Sequence, residues 1–266
     1  MGGFEAGERY VALGSSFAAG PGIRPRRAGS PRRAGRSAAN YASLVARSLG
    51  LDLTDVSFSG ATAEEVLNGP RRGGPAQLAA ITPRTRLVTV TCGGNDVGYV
   101  PRLTLASLPG PLRALPPVRR RVEELGEGAD ERFATLAETF DRLLAAVARR
   151  APAATVLLVD YLPLLPPEEE AGAGPLSPGL ARWGRETARR LVDETRAAAE
   201  RGGCGYVAAS AAGRAHHAWS DEPWTTRFRL GPGSPAPYHP NAAGMRAVAG
   251  LVLDALAAGS REPQRP

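Results

Sequence analysis

The chain has 266 residues, 43% of them hydrophobic and 22% charged, which is enough to bury a full core in one large domain or two small ones. Its formal net charge of +7 rests on 33 basic residues, every one an arginine. With Ala, Gly and Pro also abundant, that bias reads as high-GC coding. No aromatic–basic module or recognition-helix pattern accompanies it, so nucleic acid is not an expected partner.

In chain order, residues 9–13 form the first predicted strand, an apolar run ending at Gly14-Ser15-Ser16. Residues 20–37 follow as an irregular stretch holding Arg24, Arg26, Arg27, Arg32, Arg33 and Arg36. A helix is expected over 39–49, stopping at Gly50, and a strand over 51–57. The third strand, 85–92, leads into a Pro- and Leu-rich stretch, 100–121, that closes on three consecutive arginines.

The clearest helix covers 130–149, where Phe133, Leu136, Ala137, Phe140, Leu143, Leu144 and Val147 recur at helical spacing. A strand over 154–160, a Pro-rich stretch over 161–178 and a helix over 179–200 come next. That helix carries Trp183, Ala188, Leu191 and Thr195 on its inner stripe. A strand over 205–209 precedes a last helix beginning after His239. There Pro240 takes the first helical position, and Met245, Val248, Leu251, Val252 and Leu256 point inward. Residues 260–266 read as a frayed tail.

Strands alternating with helices predict an α/β fold with a parallel sheet covered on both faces. No internal repeat or linker divides residues 1–259, which are expected to form a single domain. Cys92 and Cys204 are too few for a disulfide framework. His216, His217 and His239 come without paired-cysteine spacing, so neither metal nor cofactor is expected. No apolar run approaches the roughly 20 residues of a membrane span. The N-terminus lacks the basic and apolar regions of a secretory signal, giving a cytoplasmic expectation without integral membrane association. Oligomeric state is not legible.

Four segments at strand ends or a helix start carry the chemistry: Gly14-Ser15-Ser16, Ser57-Phe58-Ser59-Gly60-Ala61-Thr62, Thr91-Cys92-Gly93-Gly94-Asn95-Asp96 and Tyr238-His239-Pro240-Asn241. Carboxyl edges of parallel strands face one way, so these loops can share a crevice. A serine there is nucleophilic only if a base takes its proton, and His239 suits that role near neutral pH. Backbone N–H groups of Ser16 and Gly60 and the amide of Asn95 are candidate donors to an oxyanion. Taken singly, each also reads as ordinary turn or cap chemistry.

In order and spacing, the four blocks resemble the SGNH hydrolase superfamily, the GDSL-type esterases and lipases. The resemblance covers essentially the whole domain. It implies a three-layer α/β/α, flavodoxin-like fold with five parallel strands, and an ester hydrolase with Ser16 as nucleophile, His239 as base, and Gly60 and Asn95 at the oxyanion. Asp96 would brace the loop holding Asn95.

Two departures stand out. Ser15 occupies the usual aspartate position, and the last block, Ala236-Pro237-Tyr238-His239-Pro240, lacks the carboxylate that orients the histidine. Some members use a main-chain carbonyl there, so the expectation is a Ser16–His239 dyad oriented by the carbonyl of Ala236. Asp221 is the rival orienter.

Trp219, Trp224 and Tyr238 are candidate substrate-binding residues. Cys92 reads as a buried strand-end residue, and His216 and His217 as solvated loop residues. The substrate class is a small-molecule or lipid ester, and the arginines of 20–37 would favour anionic ones. Acyl transfer, thioester or phospholipid cleavage, and an inactive binding domain on the same frame are the alternatives.

Overall fold

Alternate residues of the first strand serve two separate cores. Tyr10 and Ala12 pack on one side of the sheet, while Val11 and Leu13 pack on the other, as the two-residue period of a strand requires. The structure, a computed structural model, describes residues 3–70, 73–168, 170, 174–231 and 235–259. The expected tail, 260–266, lies outside the described residues.

The five strands are β1 (Arg9–Gly14), β2 (Asp52–Asp55), β3 (Thr85–Thr91), β4 (Thr155–Val159) and β5 (Gly205–Val207). They pair in parallel in the order β2-β1-β3-β4-β5. The order reverses between β1 and β3, and the crevice at such a switch point is where open α/β sheets bind ligands.

Ten helices are described: α1 (Ser16–Ala19), α2 (Tyr41–Leu49), α3 (Ala63–Asn68), α4 (Tyr99–Ala106), α5 (Gly110–Arg113), α6 (Pro116–Glu124), α7 (Ala129–Arg150), α8 (Pro178–Arg201), α9 (Ala209–Ala212) and α10 (Ala242–Gly259). On one face, α2 and α10 set Tyr41, Val45, Met245, Val248 and Val252 against Tyr10, Leu87 and Leu157. On the other, α3, α7 and α8 close over Val11, Val88, Val90 and Leu158 with Val66, Leu136, Phe140, Leu143 and Leu191. The predicted three-layer α/β/α arrangement is therefore observed.

Helix boundaries follow local chemistry. The side chain of Asn40 accepts from the Ser43 N–H at the start of α2, and Gly50 ends the helix in the left-handed conformation. Thr62 and Glu65 form a reciprocal capping box on α3.

Three expectations change. Pro240 precedes α10 rather than opening it, because the Asn241 side chain accepts from the Ala243 and Gly244 N–H groups (2.8 and 3.0 Å) and so caps the helix. The stretch 100–121 is largely helical. Its prolines fall at the starts of α4, α5 and α6, where a missing N–H costs nothing. Finally, α10 is by length and composition apolar enough to cross a membrane, although Gly244, Met245, Val248, Ala249, Val252 and Leu256 are buried in the protein.

Candidate active site

Strand β1 ends where its backbone must turn sharply. Gly14 has φ +140, and a Cβ there would lie 2.3 Å from the Thr91 carbonyl oxygen, so only glycine fits. The Gly14 peptide is clamped by Gln77, whose side chain accepts from the Gly14 N–H (2.8 Å) and donates to its carbonyl (3.0 Å). Phe58 N–H donates to the same carbonyl, and Ser15 N–H donates to Thr91, each at 2.9 Å. The ends of β1 and β3 and the loop after β2 are thereby tied together, with Ser16 opening α1 at their junction.

The structure brings His239 to Ser16. Its Nε2 lies 2.7 Å from Ser16 Oγ, and its Nδ1 lies 2.7 Å from the carbonyl oxygen of Pro237. A carbonyl only accepts, so Nδ1 carries the ring proton and Nε2 presents its lone pair to the serine hydroxyl. This corrects the expected orienter. The Ala236 carbonyl instead accepts from Thr226 Oγ1 (2.5 Å), and Asp221 is exposed.

The reason is the backbone at Tyr238, whose φ of +58 is left-handed in a non-glycine residue. That turn lets the imidazole reach back two residues instead of three. The conformation is held from both sides. Tyr238 N–H donates to the Thr226 carbonyl (2.9 Å), and the Tyr238 hydroxyl pairs with Ser107 Oγ (2.7 Å). Burial pushes the His239 pKa below its ordinary 6.5, and the Pro237 carbonyl opposes part of that shift.

Gly60 sits in a turn at φ +87, and no protein atom lies within 4 Å of the place a Cβ would take. Glycine is therefore required by conformation, and the space beside it is open. Among the described residues, the N–H groups of Ser16 and Gly60 have no hydrogen-bond partner. Asn95 donates one amide hydrogen to the Ala61 carbonyl (2.9 Å), which leaves its second for another acceptor.

Asp96 secures this pair of loops, both carboxylate oxygens accepting from the Ala63 N–H at 3.0 Å. Burial raises its pKa from 3.8 to about 7, with the backbone N–H groups of Ala63 and Asp96 opposing the rise. The folded state thus holds a proton that the unfolded state releases between about pH 4 and 7, so this carboxyl makes stability fall as pH rises through that window. Asp96→Asn keeps an acceptor for Ala63 and removes the ionisation. The gap in unfolding free energy between wild type and variant, from denaturant melts at pH 4 to 8, is expected to shift against wild type up to about pH 7 and then level.

Ser15, in the position that relatives usually give to aspartate, hydrogen-bonds the Tyr161 hydroxyl (3.1 Å), which accepts from the Gly94 N–H (3.0 Å). Serine plus tyrosine therefore bridges the first and third loops. Tyr161 and Gln77 were not singled out in the sequence. Tyr161 lies just past the end of β4, where the strand-edge rule would have flagged it, whereas nothing local marks Gln77. Pro237 acts through its backbone, which no side-chain pattern reveals.

The aromatic candidates separate. Tyr238 is fully buried, so it supports His239 rather than lining a cleft. Trp224 packs with the α2–α10 face and stacks on His216 at 4.1 Å between centroids. Trp219 is half-buried on the α3–α7–α8 side, 6.2 Å from the Tyr238 ring. His217 is buried rather than solvated, 2.9 Å from Glu170 and accepting at Nδ1 from the Trp219 N–H. Cys92 is buried at the end of β3, its thiol pKa pushed up by burial, as expected of an inert residue.

Solved structures of ester hydrolases share this architecture. A phospholipase A1 from Streptomyces albidoflavus superposes with a TM-score of 0.79 at 25% identity, covering 94% of this chain and 100% of its own. An extracellular lipase from Streptomyces rimosus gives 0.77 at 26%, covering 93% and 99%. The fold is that of the α/β ester hydrolases.

Residues 12–247 match the model of the GDSL-like lipase/acylhydrolase family, and the chain belongs to that family. Lipase 2 of Streptomyces coelicolor is 32% identical over 254 residues, 93% of this chain and 85% of that protein.

Proposed function

We propose that the protein hydrolyses carboxylic esters through an acyl-enzyme on Ser16, with His239 as the base and the Pro237 carbonyl in place of the usual carboxylate. The 2.7 Å contact between Ser16 Oγ and His239 Nε2 carries this reading. Nε2 takes the hydroxyl proton as Oγ bonds to the ester carbonyl carbon. Negative charge passes to the carbonyl oxygen, where the Ser16 and Gly60 N–H groups and the free Asn95 amide hydrogen receive it. Collapse breaks the bond to the alcohol, which leaves with the proton from Nε2. Water then repeats the sequence, releasing the acid and restoring Ser16.

Relatives named lipase and phospholipase A1 support lipid esters as the substrate class. A cleft of about 510 Å³ beside Gly60, walled by Val56, Phe58, Ala61, Pro75 and Ala76 with Arg36 at one side, offers an acyl chain mostly apolar surroundings. The arginines of 20–37 divide in two. Arg26, Arg27 and Arg36 hold backbone carbonyls of Ser30, Leu53 and Ser57, whereas Arg24, Arg32 and Arg33 are exposed and are the ones free to meet an anionic substrate.

A fluorophosphonate probe followed by peptide mapping is expected to label Ser16, with labelling lost in Ser16→Ala and strongly slowed in His239→Ala. Folded protein that neither labels at Ser16 nor cleaves a short aryl ester would overturn the assignment.

A further inference from the structure

Residues 109–121 run outside the layered core. Neither α5 nor α6 buries a single residue. Leu112 and Leu115 are 45% and 46% exposed, two of the four large apolar side chains exposed among the described residues. Prolines stiffen the segment: Pro109 and Pro111 flank the start of α5, and Pro116 and Pro117 open α6. Exposed leucines on a preorganised segment lose little conformational freedom when another surface covers them.

The charge around these leucines is positive. Arg113 precedes Leu115, and Arg119, Arg120 and Arg121 follow it. Glu123 and Glu124 pair with the last three at 3.9, 2.8 and 3.2 Å. Those pairs are exposed and weak, and four arginines face two glutamates.

The segment is also joined to the catalytic edge. Ser107, which ends α4, hydrogen-bonds the hydroxyl of Tyr238, the residue before His239. Leu112 is five residues further on, at most ~18 Å of chain from that anchor.

We propose that residues 108–121 are a docking element for anionic lipid surfaces, with Leu112 and Leu115 entering the acyl region and Arg113, Arg119, Arg120 and Arg121 meeting the headgroups. Apolar insertion beside clustered arginines is the combination that holds a protein at such an interface. Delivery of substrate to Ser16 rests on the ester-hydrolase reading; the binding itself does not. The test therefore reads binding without turnover.

Ser16→Ala protein is sedimented with phosphatidylglycerol vesicles and, separately, with phosphatidylcholine vesicles. Phosphatidylglycerol is expected to bind about tenfold or more tightly. Leu112→Ser with Leu115→Ser should weaken that binding about tenfold, while Leu230→Ser, at a more exposed leucine outside this segment, should leave it unchanged. Replacing the four arginines by glutamine should remove the preference between vesicles. On the Ser16 background, neither set should alter kcat/KM for soluble p-nitrophenyl acetate.

Absence of vesicle binding, or binding indifferent to both leucines, overturns the proposal. So does a leucine-dependent dimer in sedimentation equilibrium without vesicle binding, which would make a second copy the occupant. Vesicle binding by a protein inactive on the soluble ester would instead remove the hydrolase reading and leave the docking element standing.

Discussion

Ser16→Ala and His239→Ala are each expected to lower kcat on a soluble aryl ester by about 10⁴-fold or more, near 5 kcal/mol of transition-state stabilisation. In the proposed mechanism nucleophile and base act as one unit across their 2.7 Å contact, so the double variant should lose no more than either single one. Asp221→Ala should retain full turnover, since His239 Nδ1 is already committed to Pro237. A neutral carbonyl fixes the tautomer but stabilises the imidazolium less than a carboxylate does.

That difference has a pH signature. Burial holds the His239 pKa below 6.5, so the base remains neutral and active below that pH. The acid limb of kcat/KM should inflect below 6.5, as measured from initial rates between pH 4 and 8. Stability linkage has the same direction: a buried neutral histidine favours the fold above its unfolded value and ceases to do so as pH falls. An acid limb centred above 6.5 would contradict the buried, carbonyl-oriented imidazole.

The frame was readable because it depends on side-chain patterning. The alternation in β1 and the helical spacing of Phe133, Leu136, Phe140, Leu143 and Val147 are direct consequences of which faces are buried. Ser16 and His239 were readable because polar, reactive residues stand at strand ends and helix starts, where the topology collects them. What escaped depends on backbone geometry or distant pairing. The left-handed turn at Tyr238 moves the accepting carbonyl from residue 236 to 237, and tyrosine gives no warning of positive φ. Gln77 clamps a peptide 63 positions away. His217 reads as a solvated loop residue, yet the fold buries it against Glu170. In 100–121, prolines that suggested a loop are helix openers because they fall in first turns.

Asn95→Ala is the second large effect expected, a loss of about 10² to 10³ in kcat, near 3 kcal/mol. The Asn95 amide is aimed by one hydrogen bond to Ala61, and its loop is pinned to the start of α3 through Asp96. In the proposed mechanism the second amide hydrogen therefore meets the substrate oxygen without reorganising when charge develops there. A donor used mainly for the oxyanion strengthens the transition state more than the ground state, so KM should change little while kcat falls. Asn95→Asp sharpens the distinction, because its carboxylate cannot donate and sets like charge against the oxyanion; its kcat should fall below that of Asn95→Ala. If Asn95 only braced the Ala61 carbonyl, both variants would instead lose thermal stability and raise KM with kcat nearly intact. Steady-state kinetics alongside melting curves separates the two, because catalysis and bracing move different observables.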